Sequence, residues 1–184
     1  MSEHVRRGGR YVRVADPGWD DPLDGTYAGG RGGRWNPPGS FPVVYLNATE
    51  TVARANVDKQ FATLPYGPQD LNPAEGPLLV ETEVPTTDYV DLVTDAGCAA
   101  LRLAATYPYD AVGTITTWAV CQPIGQRAWT DGERGIACRS AALPRGTRGE
   151  ELAYFPRGDR LPSTRVRAFA EWYGVEDGLI ARPA

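Results

Sequence analysis

The chain has 184 residues, 42% apolar and 23% charged, the make-up of a soluble globular protein of one domain, or of one domain with an added subdomain. Its net charge of −4 excludes a general basic field for a nucleic-acid backbone, and the arginines of 6–13 and 157–167 are mixed with acids or glycines. Three scattered cysteines without a CxxC pair, and a single histidine at His4, exclude a zinc site, a histidine-based triad and a disulfide framework. The opening MSEHVRRGGRY has no apolar signal region and no apolar run reaches membrane-spanning length, so a reducing, cytoplasmic setting without membrane contact is expected.

In chain order, the first predicted element is a strand at Tyr11–Val14, followed by a glycine- and proline-rich loop over 16–39. A buried strand at Val43–Leu46 comes next. Asn47-Ala-Thr-Glu50 then has the form of a capping box, Asn47 as N-cap and Glu50 at N3, opening a helix to Leu64. That helix gathers Ala53, Val57, Phe61 and Leu64 on one face, pairs Glu50 with Arg54, and leaves Asn56 at the border of the buried face. After a second loop over 65–77, strands are expected at Leu78–Val84 and Tyr89–Leu92, and a helix over Ala96–Ala105. A further helix covers Gln122–Trp129, starting near Pro123; strands follow at Gly135–Ser140 and Glu151–Phe155. The last helix begins at Ser163, runs through Val166, Phe169, Ala170 and Tyr173, and stops at Gly174. Strands and helices do not alternate regularly, which favours an α+β architecture over a doubly wound sheet.

The segment GGRWNPPG at 32–39 stands out as a site. Its glycines are no P-loop, because no GK[ST] follows, and no dinucleotide fingerprint, because no strand precedes and no helix follows. They suit a flexible surface loop or a close approach of backbone to ligand. Arg34 and Trp35 favour the second reading, since a guanidinium matches a phosphate or pyrophosphate and an indole offers a stacking face. Ser140 ends an apolar segment; it lies outside a GxSxG setting and has no histidine as base, so it is a backbone-bonded strand-end serine or a ligand hydrogen-bonder, not a hydrolase nucleophile.

Gly32-Gly33-Arg34-Trp35-Asn36-Pro37-Pro38-Gly39, followed by Pro42-Val-Val-Tyr45, resembles the RES domain, named for an arginine, a glutamate and a serine. The resemblance continues through 79–85, 121–129 and 136–140 in the family's order, and spans about 11–155, leaving 156–184 as a C-terminal helical extension of a single RES-like domain over 1–184. It implies an ADP-ribosyltransferase-like mixed β core with short flanking helices. It also implies a bacterial toxin of a toxin–antitoxin pair, partnered by an Xre-type antitoxin, that consumes NAD by cleaving the nicotinamide–ribose bond. The acceptor would be water, phosphate or a protein. Carried over residue by residue, the catalytic positions are Arg34, Tyr45, Asn56 and Ser140, and NAD would be bound by Arg13, Arg34, Trp35 and Tyr45, with no metal.

One position departs from the pattern. Eleven residues past Tyr45, where the family has its glutamate, this chain has Asn56. Cleaving an N-glycosidic bond develops positive charge on the ribose, and asparagine keeps hydrogen bonds there but not the compensating charge. Glu50, Asp58, Glu150 and Glu151 are the carboxylates available to replace it, and Asn56→Glu is the substitution expected to raise nicotinamide release. Two other functions stay open: a weakened nucleotide-binding module that keeps the pocket, and an enzyme acting on another ribosyl compound. The residues before Ser140 and after Phe155 also depart, with Arg139 in place of a usual proline and Tyr154-Phe-Pro-Arg-Gly in place of an Asn-Pro-rich ending.

Overall fold

Residues 78–92 form one strand where the sequence suggests two. In the computed structural model, which describes residues 2–174, β3 (Leu78–Leu92) runs unbroken against β1 (His4–Ala15), with a register shift between Arg7 and Gly9. The irregularity takes Pro85, whose missing N–H a regular ladder could not use. It also needs glycine opposite: a Cβ at Gly8 would lie 2.3 Å from Thr86 Oγ1, and Gly9 has φ +86°.

β2 (Val44–Asn47), β4 (Gly135–Arg139), β5 (Glu150–Tyr154) and β6 (Ser163–Arg167) complete a six-stranded sheet of order β1-β2-β5-β4-β3-β6. Because β1 also pairs with β3, the first five strands close into a ring, and β6 adds to the outer edge of β3. Only β3 and β4 run parallel. Among the described residues, five α-helices lie around the ring: α1 (Thr26–Arg31), α2 (Glu50–Phe61), α3 (Asp95–Ala100), α4 (Trp118–Thr130) and α5 (Phe169–Tyr173). The architecture is α+β, a β core with short helices.

Strand alternation sorts the core into two faces. Ile136, Cys138, Ala153 and Phe155 face one apolar cluster with Trp35, Phe41, Tyr107 and Cys121, under α3 and α4. Ala137, Leu152 and Tyr154 face another, with Tyr11, Val44, Leu46, Val80 and Tyr89. A third cluster joins Ala53 and Val57 of α2 to Val12, Leu79, Phe169 and Trp172.

Several elements differ from the sequence reading. Residues 163–167 are a strand, not the start of a helix, so only 169–173 of the expected C-terminal helix form, ending at Gly174 with φ +70°. The remaining extension, 175–184, lies outside the described residues. The N-cap of α2 is Thr49, which accepts from Val52 N–H at 3.3 Å; Asn47 is still in the β2 ladder. Glu50 does not pair with Arg54: it meets Arg10 and Arg167, while Arg54 donates to the carbonyls of Trp172 and Tyr173. α2 ends before Leu64, which is exposed. α4 begins five residues before Pro123, and α1 lies inside the expected loop at 16–39.

Candidate functional site

The turn that carries Arg34 is fixed from three sides. Tyr45 of β2 accepts a hydrogen bond from Trp35 N–H (2.9 Å) and donates one to Asn36 Oδ1 (2.7 Å). Asn36 Nδ2 donates to Ala28 O at 2.7 Å, and Gln122 of α4 donates to Gly33 O at 3.0 Å. Glycine is required at two contacts: a Cβ at Gly33 would meet the Tyr45 hydroxyl at 2.5 Å, and one at Gly125 would meet Trp35 O at 1.7 Å. Burial pushes the Tyr45 phenol up, so it acts as a neutral donor and acceptor.

With its backbone pinned, Arg34 sends its guanidinium toward α4, where Nη1 donates to Thr116 O (2.9 Å) and approaches Cys121 Sγ (3.8 Å). Its Nε and Nη2 take no partner among the described residues. Trp35 packs into the apolar cluster with Tyr107, Cys121 and Cys138: 1% exposed, its indole has no face for a base. The stacking role expected of it is corrected on that ground.

A second group of polar side chains lies on the same face of β2, β4 and β5. Pairing sets Glu151 opposite both Asn47 and Cys138. Glu151 Oε1 accepts from Ser140 Oγ (2.6 Å) and from Asn56 Nδ2 (3.1 Å), and Asn56 Nδ2 also donates to Asn47 Oδ1 (2.9 Å). Ser140, 5% exposed, accepts from Ala142 N–H at 3.1 Å. Of the other carboxylates raised by the sequence, Glu150 points to the opposite face and bonds Arg7 (2.7 Å) and Tyr11 (3.3 Å), Glu50 is held by two arginines, and Asp58 accepts from the Tyr173 hydroxyl.

Tyr107 joins the two groups. Its hydroxyl is buried without a hydrogen-bond partner, and burial lifts its pKa well above the ordinary value. Cys138, Arg34, Cys121 and Glu151 all lie within charge reach of it. A buried hydroxyl left unpaired costs about 1–3 kcal/mol, and a ligand atom is one way to satisfy it. Lys59 of α2 stands nearby, donating to Ala141 O at 2.7 Å; burial and then repulsion by Arg34 lower its pKa. Tyr107 and Ser140 also line a cavity of about 870 Å³, whose walls include Arg139, Arg145, Arg148 and Glu150, while Arg34, Tyr45, Asn56 and Glu151 lie behind Ser140, outside its lining. That volume suits a nucleotide-sized ligand. Arg139 is engaged by Asp95 and three carbonyls, whereas Arg145 and Arg148 are exposed on the 141–149 loop.

The structure therefore brings Arg34, Tyr45, Asn56 and Ser140 to one region, but not Arg13. Arg13 is 4% exposed beneath residues 16–24, donates to Asp24 O (3.2 Å) and stands 4.9 Å over the Trp19 ring. Sequence reasoning missed Tyr107, Lys59, Arg145 and Arg148. Two aromatic residues around Pro108 and a loop with two arginines were the only signals for them.

The fold and this constellation define an α+β protein with an arginine–tyrosine turn facing a serine and a carboxylate at the ends of paired strands. The chain belongs to the RES domain family, whose model matches residues 10–173. It is 29% identical over 127 residues to proteins named NAD(+) phosphorylase MbcT from Mycobacterium bovis and from Mycobacterium tuberculosis. The match covers 66% of this chain and spans 62% of the length of those curated relatives. Its fold is similar to a chain in the crystal structure of the M. tuberculosis MbcT–MbcA toxin–antitoxin complex, with TM-score 0.74 and 21% identity, covering 94% of this chain and 91% of the other. Among the described residues, no helix is long and apolar enough to cross a membrane, and no group of three or more His, Cys, Asp or Glu could hold a metal ion.

Proposed function

We propose that this protein is an NAD-cleaving enzyme that breaks the nicotinamide–ribose bond and passes the ADP-ribosyl group to phosphate. The observation that carries the reading is the Ser140–Glu151–Asn56 cluster at the edge of a nucleotide-sized cavity that Ser140 lines, with the Arg34 guanidinium and the buried Tyr107 hydroxyl behind it. Phosphate as acceptor is supported by the relatives named as NAD(+) phosphorylases. In the reaction the C1′–N bond breaks, neutral nicotinamide leaves with the bonding pair, and a phosphate oxygen bonds C1′ while its remaining proton passes to solvent. Arg34 has free N–H groups for phosphate oxygens, with Arg145 and Arg148 at the cavity wall for the pyrophosphate. Ser140, its O–H donated to Glu151, holds that carboxylate and keeps one lone pair to accept from a ribose hydroxyl. Tyr45 acts as a positioning residue, holding the Arg34 turn.

The fold shared with a toxin that is solved in complex with its antitoxin supports a second element of the reading. The protein is a toxin restrained by an Xre-type antitoxin, acting in the cytoplasm. The test is direct: incubate the protein with NAD, with and without phosphate, and follow the products by NMR. Nicotinamide with ADP-ribose 1″-phosphate is expected in phosphate and far less product without it. Free ADP-ribose in both buffers would make water the acceptor, and intact NAD in both would end the NAD-cleaving reading. Asn56 favours one alternative, a module that binds nucleotide without turnover, which intact NAD together with calorimetric binding would support.

A further inference from the structure

We infer that Glu151 of β5 is the catalytic carboxylate of this site, with Asn56 and Ser140 as its positioning partners; the inference rests on the proposed cleavage of an N-ribosyl bond. The geometry singles it out. Of the two oxygens, only Oε1 is occupied, by the Ser140 hydroxyl at 2.6 Å and the Asn56 amide at 3.1 Å, and Oε2 takes no partner among the described residues. Both donors sit on rigid elements, one at the end of β4 and one on α2, so the carboxylate is held without being neutralised by a cation. The cation near it, Lys59, is directed elsewhere, donating to Ala141 O at 2.7 Å. The unpaired Tyr107 hydroxyl lies within charge reach of the same carboxylate.

Such an anion, buried on one side and unbalanced, suits a cation that forms during reaction. As the C1′–N bond breaks, the electron pair leaves with nicotinamide and positive charge spreads over C1′ and the ring oxygen; the Glu151 carboxylate stabilises it until the phosphate oxygen bonds C1′. Glu151 itself forms no bond and changes no oxidation state. The amide of Asn56 keeps one lone pair of Oε1 occupied and so aims Oε2. The strand neighbour Glu150, bonded to Arg7 and Tyr11 on the opposite face, has no such freedom.

This placement reverses the consequence of Asn56→Glu drawn from sequence. With Glu151 about 3 Å away, a second carboxylate there leaves two like charges in contact, and one takes up a proton. The informative change is the exchange, Asn56→Glu with Glu151→Gln, which moves the charge across the pair without altering its total.

The test is steady-state NAD turnover with phosphate by wild type, Glu151→Gln, Asp58→Asn and the exchange variant. Glu151→Gln keeps the shape and acceptor of the side chain and is expected to lose about 10²–10³-fold in kcat with KM little changed. Asp58→Asn, outside the cavity, should stay within about threefold of wild type, and the exchange variant should recover at least about tenfold over Glu151→Gln. A Glu151→Gln enzyme within about threefold of wild-type kcat overturns the inference while leaving the NAD-cleaving reading intact. A wild type that releases no nicotinamide defeats that reading instead. Glu151 is then judged by calorimetric binding of an ADP-ribose analogue whose sugar is an iminoribitol, cationic at the nitrogen that replaces the ring oxygen beside C1′. An affinity loss of at least about tenfold for Glu151→Gln, with neutral ADP-ribose bound equally by both, supports the inference; equal affinities for the cationic analogue overturn it.

Discussion

The sequence presents Arg13 and Arg34 as two hands on one ligand, yet they occupy opposite kinds of place. Arg13 sits in a strand, so the register of β1 decides where its side chain points, and residues 16–24 close over it. Its guanidinium has a carbonyl, an aromatic face and little water, and burial, opposed by Asp24 and Asp21, pulls its pKa down to about 10. Arg34 sits in a turn with its backbone held by Tyr45, Asn36 and Gln122, and its end group retains unpartnered N–H donors. An arginine in a strand is available only if nothing folds over it. One in a pinned turn is available because the pinning uses the backbone and leaves the side chain.

The strongest way to break this comparison is at Trp35, whose buried ring anchors the turn. Trp35→Ala should destabilise the protein by about 3–5 kcal/mol in urea unfolding, since a large core side chain is lost. A loss under about 1 kcal/mol would mean the turn is held by its hydrogen bonds alone. Arg34→Ala comes next: calorimetric NAD affinity should fall by roughly 1.5–3 kcal/mol with folding intact, the range for charge-assisted hydrogen bonds. Unchanged affinity would remove Arg34 from the ligand. For Arg13→Ala the expected loss is in stability, about 1–2 kcal/mol, with NAD affinity unaltered. If affinity drops and stability does not, the two arginines act together after all.

The smallest effect separates the two regions by acid. Burial tends to raise the Asp21 carboxyl, but the Leu23 N–H and Arg160 outweigh it and hold it below the usual carboxylate range. A carboxylate with a lowered folded-state pKa contributes stability present above the unfolded value, about 3.9, and lost as pH falls through the folded one. The contacts of Arg34, a carbonyl and a thiol, do not titrate there. Below about pH 4, amide exchange at Leu23 should therefore quicken before exchange at Trp35, by less than about 1 kcal/mol. Simultaneous loss of protection at both would show that the covering segment and the turn open together.

Much of the core was legible because it depends on local pattern. Tyr11–Val14, Val43–Leu46 and Gly135–Ser140 alternate or run apolar as strands do, and all lie in or at the ends of observed strands. Residues 163–167 were not legible: Ser163 after Pro162 imitates a helix start, and Val166, Phe169, Ala170 and Tyr173 imitate a helical face. What makes the segment a strand is the free edge of β3, a partner some eighty residues back in the chain. For α2, both Asn47 and Thr49 are N-cap types, and only the pairing of Asn47 with Glu151 decides between them. The site divides in the same way. Arg34, Tyr45 and Ser140 belong to recognisable segments, but adjacent Glu150 and Glu151 are alike in sequence and differ only in which face of β5 each occupies. That follows from register, which no short stretch encodes.

The clamp between α2 and α5 has a consequence for the timing of biosynthesis. Arg54 ends α5 by donating to the carbonyls of Trp172 and Tyr173, and Phe169 and Trp172 cover the face of α2 formed by Ala53 and Val57. The helix that carries Asn56 is thus half-uncovered until residues near 170 are made. A nascent chain arrested before Phe169 has its Arg34 turn, β4 and β5 in hand, yet lacks the segment that covers the Ala53–Val57 face of α2. The packing of α2 is therefore completed only once translation has passed nearly the whole described chain.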